Sequence, residues 1–164
     1  MNLLVQNNYL HSDLGRFACA IGRAGLTTNK IEGDHKTPVG EFKFQKIYYR
    51  KDKLGEFSFK IPFAVIEKND GWCDDPKSKQ YNQHIKFPFD ASAEKLFRDD
   101  DLYDLLCVIN HNTDPIVPGK GSAIFLHISK PNFEGTEGCV AIEKENIIEL
   151  AKKIDVTTKL IIKD

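Results

Sequence analysis

Apolar residues in this 164-residue chain come in short bursts, each ended by Gly, Pro, Asn or Asp before it reaches ordinary helix length. Bursts of about 4–8 residues bounded by turn formers are the mark of strands. Met1–Val5 and Arg16–Ile21 flank a polar turn around His11–Gly15 and predict an opening hairpin. Gly40–Arg50 alternates Phe42, Phe44 and Ile47 with polar residues, as a half-buried strand does. Phe57–Val65 reads similarly, with Pro62 pushing it toward an edge or a bend. Leu105–Ile109 and Ala123–Ile128 are near-continuous apolar runs that suit central strands, and Thr158–Ile162 is a β-branched last strand.

Two segments predict helices. Ala91–Tyr103 has Asp90 or Ser92 as N-cap, buries Leu96, Phe97 and Leu102, and ends in a solvated Asp99-Asp100-Asp101. Glu143–Ile154 carries an apolar stripe of Ile147, Ile148, Leu150, Ala151 and Ile154. The polar stretch Lys68–Lys86 reads as a long ordered loop or lid. The expected fold is mainly β, in β-rich mixed sheets with two or three peripheral helices, over residues 1–164 as a single domain. A chain of this length buries roughly two-thirds of its unfolded surface, enough for a core without staples.

A net charge of -1 and a pI near 6.5 leave no electrostatic footprint for nucleic acid or an anionic membrane. The start, Met1-Asn2-Leu3-Leu4-Val5, has neither a basic n-region nor a signal-like apolar stretch, and no run approaches the roughly 18 residues that span a bilayer. On this reading the chain has no transmembrane segment and is either cytoplasmic, which Met1 favours, or written after removal of a signal. Cys19, Cys73, Cys107 and Cys139 form no CxxC pair, which argues against a zinc site, and neither metal nor cofactor is expected. Cys19 and Cys107 lie in apolar runs as inert core thiols. Cys73 and Cys139 lie in turn-rich surroundings where a thiol can be reached.

Chemistry concentrates in the stretch from Gly121 to Ile142. An apolar strand ends on His127, a polar loop follows, and Gly138-Cys139 opens onto another apolar pair, with eleven residues between His127 and Cys139. A thiol of pKa near 8.5 is only a few per cent thiolate at neutral pH, and an adjacent imidazole activates it and returns the proton to a leaving amine. Gly138 lets the backbone approach a substrate and leaves amides to hold an oxyanion. A buried structural cysteine beside a strand histidine fits the spacing equally well.

Two motifs carry a family resemblance. Lys36-Thr37-Pro38-Val39-Gly40-Glu41-Phe42 is similar to a Lys-Thr-Pro-x-Gly-x-Phe signature, and His127…Thr136-Glu137-Gly138-Cys139 is similar to a His…Ser/Thr-His-Gly-Cys motif. Together, and in this order, they resemble the L,D-transpeptidase catalytic domain (YkuD-like) family of cell-wall enzymes. The resemblance implies a β-rich mixed fold, no metal, and a thioester formed at Cys139 from a peptidoglycan stem peptide, with His127 as base. It places Gly138 and Thr136 in the nucleophile turn, and implies a peptidoglycan or wall-derived peptide as partner and a periplasmic or envelope setting. The chain departs from the pattern at Glu137, where the family has His, at Ala141, where it often has Arg, and in a shorter His-to-Cys gap. A carboxylate beside the thiol raises its pKa unless it points away, and a missing Arg removes a bidentate carboxylate clamp. These departures keep two alternatives open: an L,D-carboxypeptidase or hydrolase of wall-derived peptides, and a non-catalytic peptide-binding module on the same fold.

Six further residues are candidate substrate contacts. His111 and Asn112 leave an apolar strand at its polar exit, Ser129 follows His127, Arg23 suits a carboxylate, and Trp72, with Tyr81, offers an aromatic wall. Each also has a structural reading: a turn histidine, a solvated hairpin arginine, a loop capping one end of the core. Asp74 and Asp75 lack the further ligands a cation needs.

Overall fold

The computed structural model describes residues 1–164. Its elements are β1 (Asn2–Gln6), β2 (Tyr9–Ser12), β3 (Gly15–Ala20), β4 (Leu26–Thr27), β5 (Thr37–Pro38), β6 (Gly40–Tyr49), α1 (Lys51–Leu54), β7 (Phe63–Val65), β8 (Asp70–Cys73) and β9 (His84–Lys86). They continue with β10 (Ala93–Lys95), β11 (Leu105–Ile109), β12 (Phe125–Ile128), β13 (Val140–Ile142), α2 (Lys144–Lys153) and β14 (Lys159–Ile162).

Eight strands form a closed mixed barrel in the order β11-β12-β13-β3-β2-β1-β14-β6, with β6 pairing back onto β11 and β7 added beside β6. The long β6 makes closure possible. Its first half, Gly40–Lys43, pairs with β14, and its second half, Phe44–Tyr49, pairs with β11. Closure leaves the ring no free edge to recruit another chain. The pairs β1–β14 and β12–β13 are parallel.

Period-two alternation divides the side chains into two cores. Leu105, Cys107 and Ile109 of β11, Leu126 and Ile128 of β12, and Val140 and Ile142 of β13 point inward. There they meet Ile147, Leu150, Ala151 and Ile154 of the predicted C-terminal helix. Each fully buried Leu or Ile contributes about 1.5–3 kcal/mol, so this stripe alone is enough to seat α2, whose last-turn Lys152 and Lys153 also suit the helix dipole. The alternate residues Leu106, Val108 and Phe125 point outward and join Tyr48, Trp72, Leu96 and Tyr103 in a second core. A three-stranded sheet, β10-β8-β9, supplies Trp72 to that outer core.

The structure corrects several sequence expectations. Ala91–Tyr103 is not a helix: Ala93–Lys95 is a strand paired with Gly71–Cys73, and turns follow. Pairing with β8 lets Leu96 and Tyr103 bury in the outer core, a tertiary gain that overrides local propensity. The Asp100 carboxylate accepts from the Leu102 amide and from Arg98, which makes a turn out of the acidic run. Lys68–Lys86 is not an irregular lid, because it contains β8 and β9, whose pairing sets Trp72 opposite His84. Two α-helices are present rather than three, one of them the single turn α1. The opening is a meander, with a tight β1–β2 turn in which Asn7 and Asn8 take φ of 53° and 60°. Of Phe57–Val65, only Phe63–Val65 is a strand, beginning just past Pro62. Cys73 is not reachable; all four cysteines are free and buried.

Candidate active site

β12 and β13 run parallel with His127 opposite Ala141. Cys139 precedes Ala141 by two residues, so strand parity sends its side chain to the same outer face as His127. Neighbouring strands lie about 4.8 Å apart and two residues span about 6.6 Å, which makes imidazole and thiol diagonal neighbours on one surface. Both side chains are buried, and both line a cavity of about 400 Å³ between the barrel face and the small sheet.

The turn that presents the thiol is built from both motifs. Thr37, wholly buried, donates from Oγ1 to the Gly138 carbonyl at 2.8 Å and accepts the Gly22 amide at 2.8 Å. Thr136 Oγ1 accepts the Gly138 amide at 3.1 Å and donates to the Cys139 carbonyl at 2.6 Å. Gly138 has φ +144°, and a Cβ there would lie 3.0 Å from the Lys36 carbonyl oxygen, so the position demands glycine. The expectation that amides here stay free holds for only one of the two. The Gly138 amide is engaged by Thr136, while the Cys139 amide has no acceptor within the protein.

The resting pair is neutral. Cys139 Sγ donates to the Ala123 carbonyl at 3.1 Å and accepts the Phe125 amide at 3.3 Å. Burial pushes its pKa up to about 12, with the Glu94 carboxylate as the leading charge effect. His127 Nδ1 lies 2.8 Å from the Ile128 carbonyl, an acceptor, so Nδ1 carries the proton and Nε2 holds a lone pair. Burial holds this imidazole down at about 4. An adjacent imidazole is expected to lower a thiol pKa; in this enclosed site desolvation outweighs that effect, and no hydrogen bond joins the two side chains.

Glu137 is tied to the cavity rim and adds only the smallest of the upward pushes on the thiol. Its side chain is 70% exposed and is held by Arg23 Nη1 at 2.9 Å and by His35. Arg23 in turn contacts His35 Nε2 at 3.0 Å, so it ties the cavity rim together instead of standing free for a carboxylate. Ala141 is buried and offers no clamp.

The remaining candidates lie elsewhere. Trp72 does not wall the cavity: it is 7% exposed, gives its Nε1–H to Asn82 at 3.0 Å and packs edge-on against Phe125 at 5.1 Å. His111 Nε2 donates to the Lys120 carbonyl at 2.9 Å. Asn112 pins the following loop through the Val117 and Gly121 carbonyls, each at 3.0 Å. Ser129 bonds its amide to the Ile142 carbonyl and lines a separate depression with Lys130 and Pro131. The cavity instead gains Glu94, Tyr103, Glu32 and Ser122, which the sequence reading missed. Their only signal is position: Glu94 sits across from Trp72 in a pairing that no local pattern announces.

The sequence matches the YkuD family of L,D-transpeptidase catalytic domains over residues 4–162. No curated protein matches it. Among solved structures, the helical cell shape determining protein Pgp2 from Campylobacter jejuni aligns with a TM-score of 0.49 at 15% identity, over 99% of this chain and 47% of that one. This chain thus spans about half the length of that protein. With all but the terminal few residues matched, the chain belongs to the YkuD L,D-transpeptidase catalytic domain family.

Proposed function

We propose that this protein is a cysteine acyl transferase that forms a thioester at Cys139 with a peptidoglycan stem peptide, His127 acting as base. The observation that carries this reading is the shared outer face of β12 and β13, where an imidazole with Nε2 unprotonated and a thiol open onto one cavity. Family membership supports peptidoglycan as the substrate class.

The chemistry follows from the resting protonation states. As a substrate carbonyl enters, the thiol proton moves from the Ala123 carbonyl toward His127 Nε2, and sulfur adds to the carbonyl carbon. The developing oxyanion finds the unengaged Cys139 amide. His127 then returns its proton to the departing amine, and the thioester remains. Because burial disfavours a standing ion pair, transfer and attack are coupled, and idle thiolate is not exposed to oxidants.

Intact mass measurement after treatment with a carbapenem, and product analysis with purified stem peptides, test the assignment. A single adduct at Cys139, strongly slowed in His127→Ala, is the expected result. A protein that stays unmodified with both reagents supports the binding-module reading instead. Peptide products with and without an added amine separate transfer from hydrolysis.

A further inference from the structure

Glu94 lies on β10, across from Trp72, and lines the cavity that holds Cys139 and His127. One carboxylate oxygen accepts the phenolic hydroxyl of Tyr103. The Tyr103 ring, itself buried, stands edge-on to the His127 imidazole at 5.3 Å and 83°. The Glu94–Tyr103 pair is therefore anchored to the same ring that faces the thiol. No cation neutralises Glu94. Arg98, the cation that bears on it, is held by Asp100 at 2.6 Å, while Asp74 and Glu32, the other groups acting on it, are also acidic. Glu32 is taken up by the hydroxyls of Tyr81 and Ser122. Burial raises the Glu94 pKa, which makes its carboxylate a stronger base than an exposed one.

Resolution of a thioester by an amine has a proton requirement that one histidine does not meet. An alkyl amine with a pKa near 10.4 arrives as ammonium, and fewer than about one in a thousand molecules is neutral at pH 7. It must lose one proton to gain a lone pair and a second on forming the amide. We infer that Glu94 is the second proton acceptor of this site, binding the ammonium of an incoming primary amine and removing its first proton. This rests on the thioester reading above.

The step balances. R–NH3+ gives one proton to the Glu94 carboxylate, and the freed lone pair adds to the thioester carbonyl. The C–S bond breaks with its electrons on sulfur. The remaining surplus nitrogen proton passes through His127 Nε2 to that sulfur, restoring thiol and neutral imidazole. Glu94 returns its proton to solvent, so amide, thiol and one H+ are the products.

The test compares an amine that needs this base with one that does not. Wild-type protein and Glu94→Gln, loaded as the Cys139 thioester with a stem peptide, are mixed at pH 7 with propylamine or with methoxyamine, which is already neutral there. Thioester loss and amide formation are followed by mass spectrometry. Glu94→Gln is expected to slow the propylamine reaction about 100-fold and the methoxyamine reaction less than about threefold. Its propylamine rate should climb about tenfold per pH unit, tracking free amine, and Glu94→Asp should recover part of the loss. Equal losses with both amines, or none with propylamine, overturn the inference and leave the thioester reading standing. Failure of the wild type to form any thioester overturns the underlying reading as well.

Discussion

Thr37→Val tests whether the first motif exists to hold the turn that carries Cys139. Valine matches threonine in shape, so packing is preserved and only the hydroxyl goes. That hydroxyl sits in wholly buried surroundings, donating to the Gly138 carbonyl and accepting the Gly22 amide, both at 2.8 Å. Its removal leaves one buried acceptor and one buried donor without partners, each worth about 1–3 kcal/mol. Gly22 has little room to shift toward water, since a Cβ placed on it would lie 2.4 Å from the His35 carbonyl oxygen. A loss of about 2–4 kcal/mol is expected if one of the two groups relaxes partially. Urea unfolding measures it, with Thr37→Ser as the control that keeps both bonds and stays within about 1 kcal/mol of wild type. Because the Gly138 carbonyl sits one bond from the Cys139 amide, carbapenem acylation should slow in Thr37→Val under conditions where the fold is intact. A Thr37→Val protein within about 0.5 kcal/mol of wild type, acylating at the normal rate, refutes the clamp.

Three further outcomes follow from the site's protonation and rim. The folded pKa of His127, about 4 against about 6.5 unfolded, means the unfolded chain binds more protons between those values. Stability should therefore be intact above about pH 6.5 and fall by about 3 kcal/mol as the pH drops toward 4; urea midpoints read this as the wild-type minus His127→Gln difference. A Cys139 thiol near pKa 12 holds roughly 10³-fold less thiolate at pH 8 than a free cysteine. Iodoacetamide labelling mapped by peptide mass should be correspondingly slow, and faster labelling than a model thiol contradicts a neutral resting pair. Glu137→Gln removes a mostly exposed ion pair, so unfolding should change by less than about 1 kcal/mol and acylation by less than about threefold, checked by urea titration and carbapenem kinetics.

How much of this fold was legible depended on whether a segment's partner was local. Leu105–Ile109 and Ala123–Ile128 read as central strands because burial on both faces leaves a continuous apolar run, although the second strand begins only at Phe125. The Glu143–Ile154 stripe read correctly because a helix carries its own periodicity. Ala91–Tyr103 misled for the same reason: Leu96, Phe97 and Leu102 mimic helical spacing, yet the burial that decides the matter comes from β8, about twenty residues earlier. The Lys68–Lys86 stretch hid two strands of three or four residues, too short for alternation to register.

The site divides along the same line. The two motifs were visible, and strand parity alone puts His127 and Cys139 on one surface once the parallel register is known. What sequence could not supply is the opposite wall. Glu94, Tyr103 and Glu32 come from three segments with no shared pattern and meet only because the small sheet packs on the outer face of β11 and β12. That wall also sets the electrostatics, since the enclosure it creates raises the thiol and depresses the imidazole together. A thiol and imidazole on an open barrel face would approach their ordinary pKa values, about two units apart. Here the second layer widens that gap to about eight units and keeps both groups neutral, so the small sheet governs the protonation of the pair as much as it governs shape.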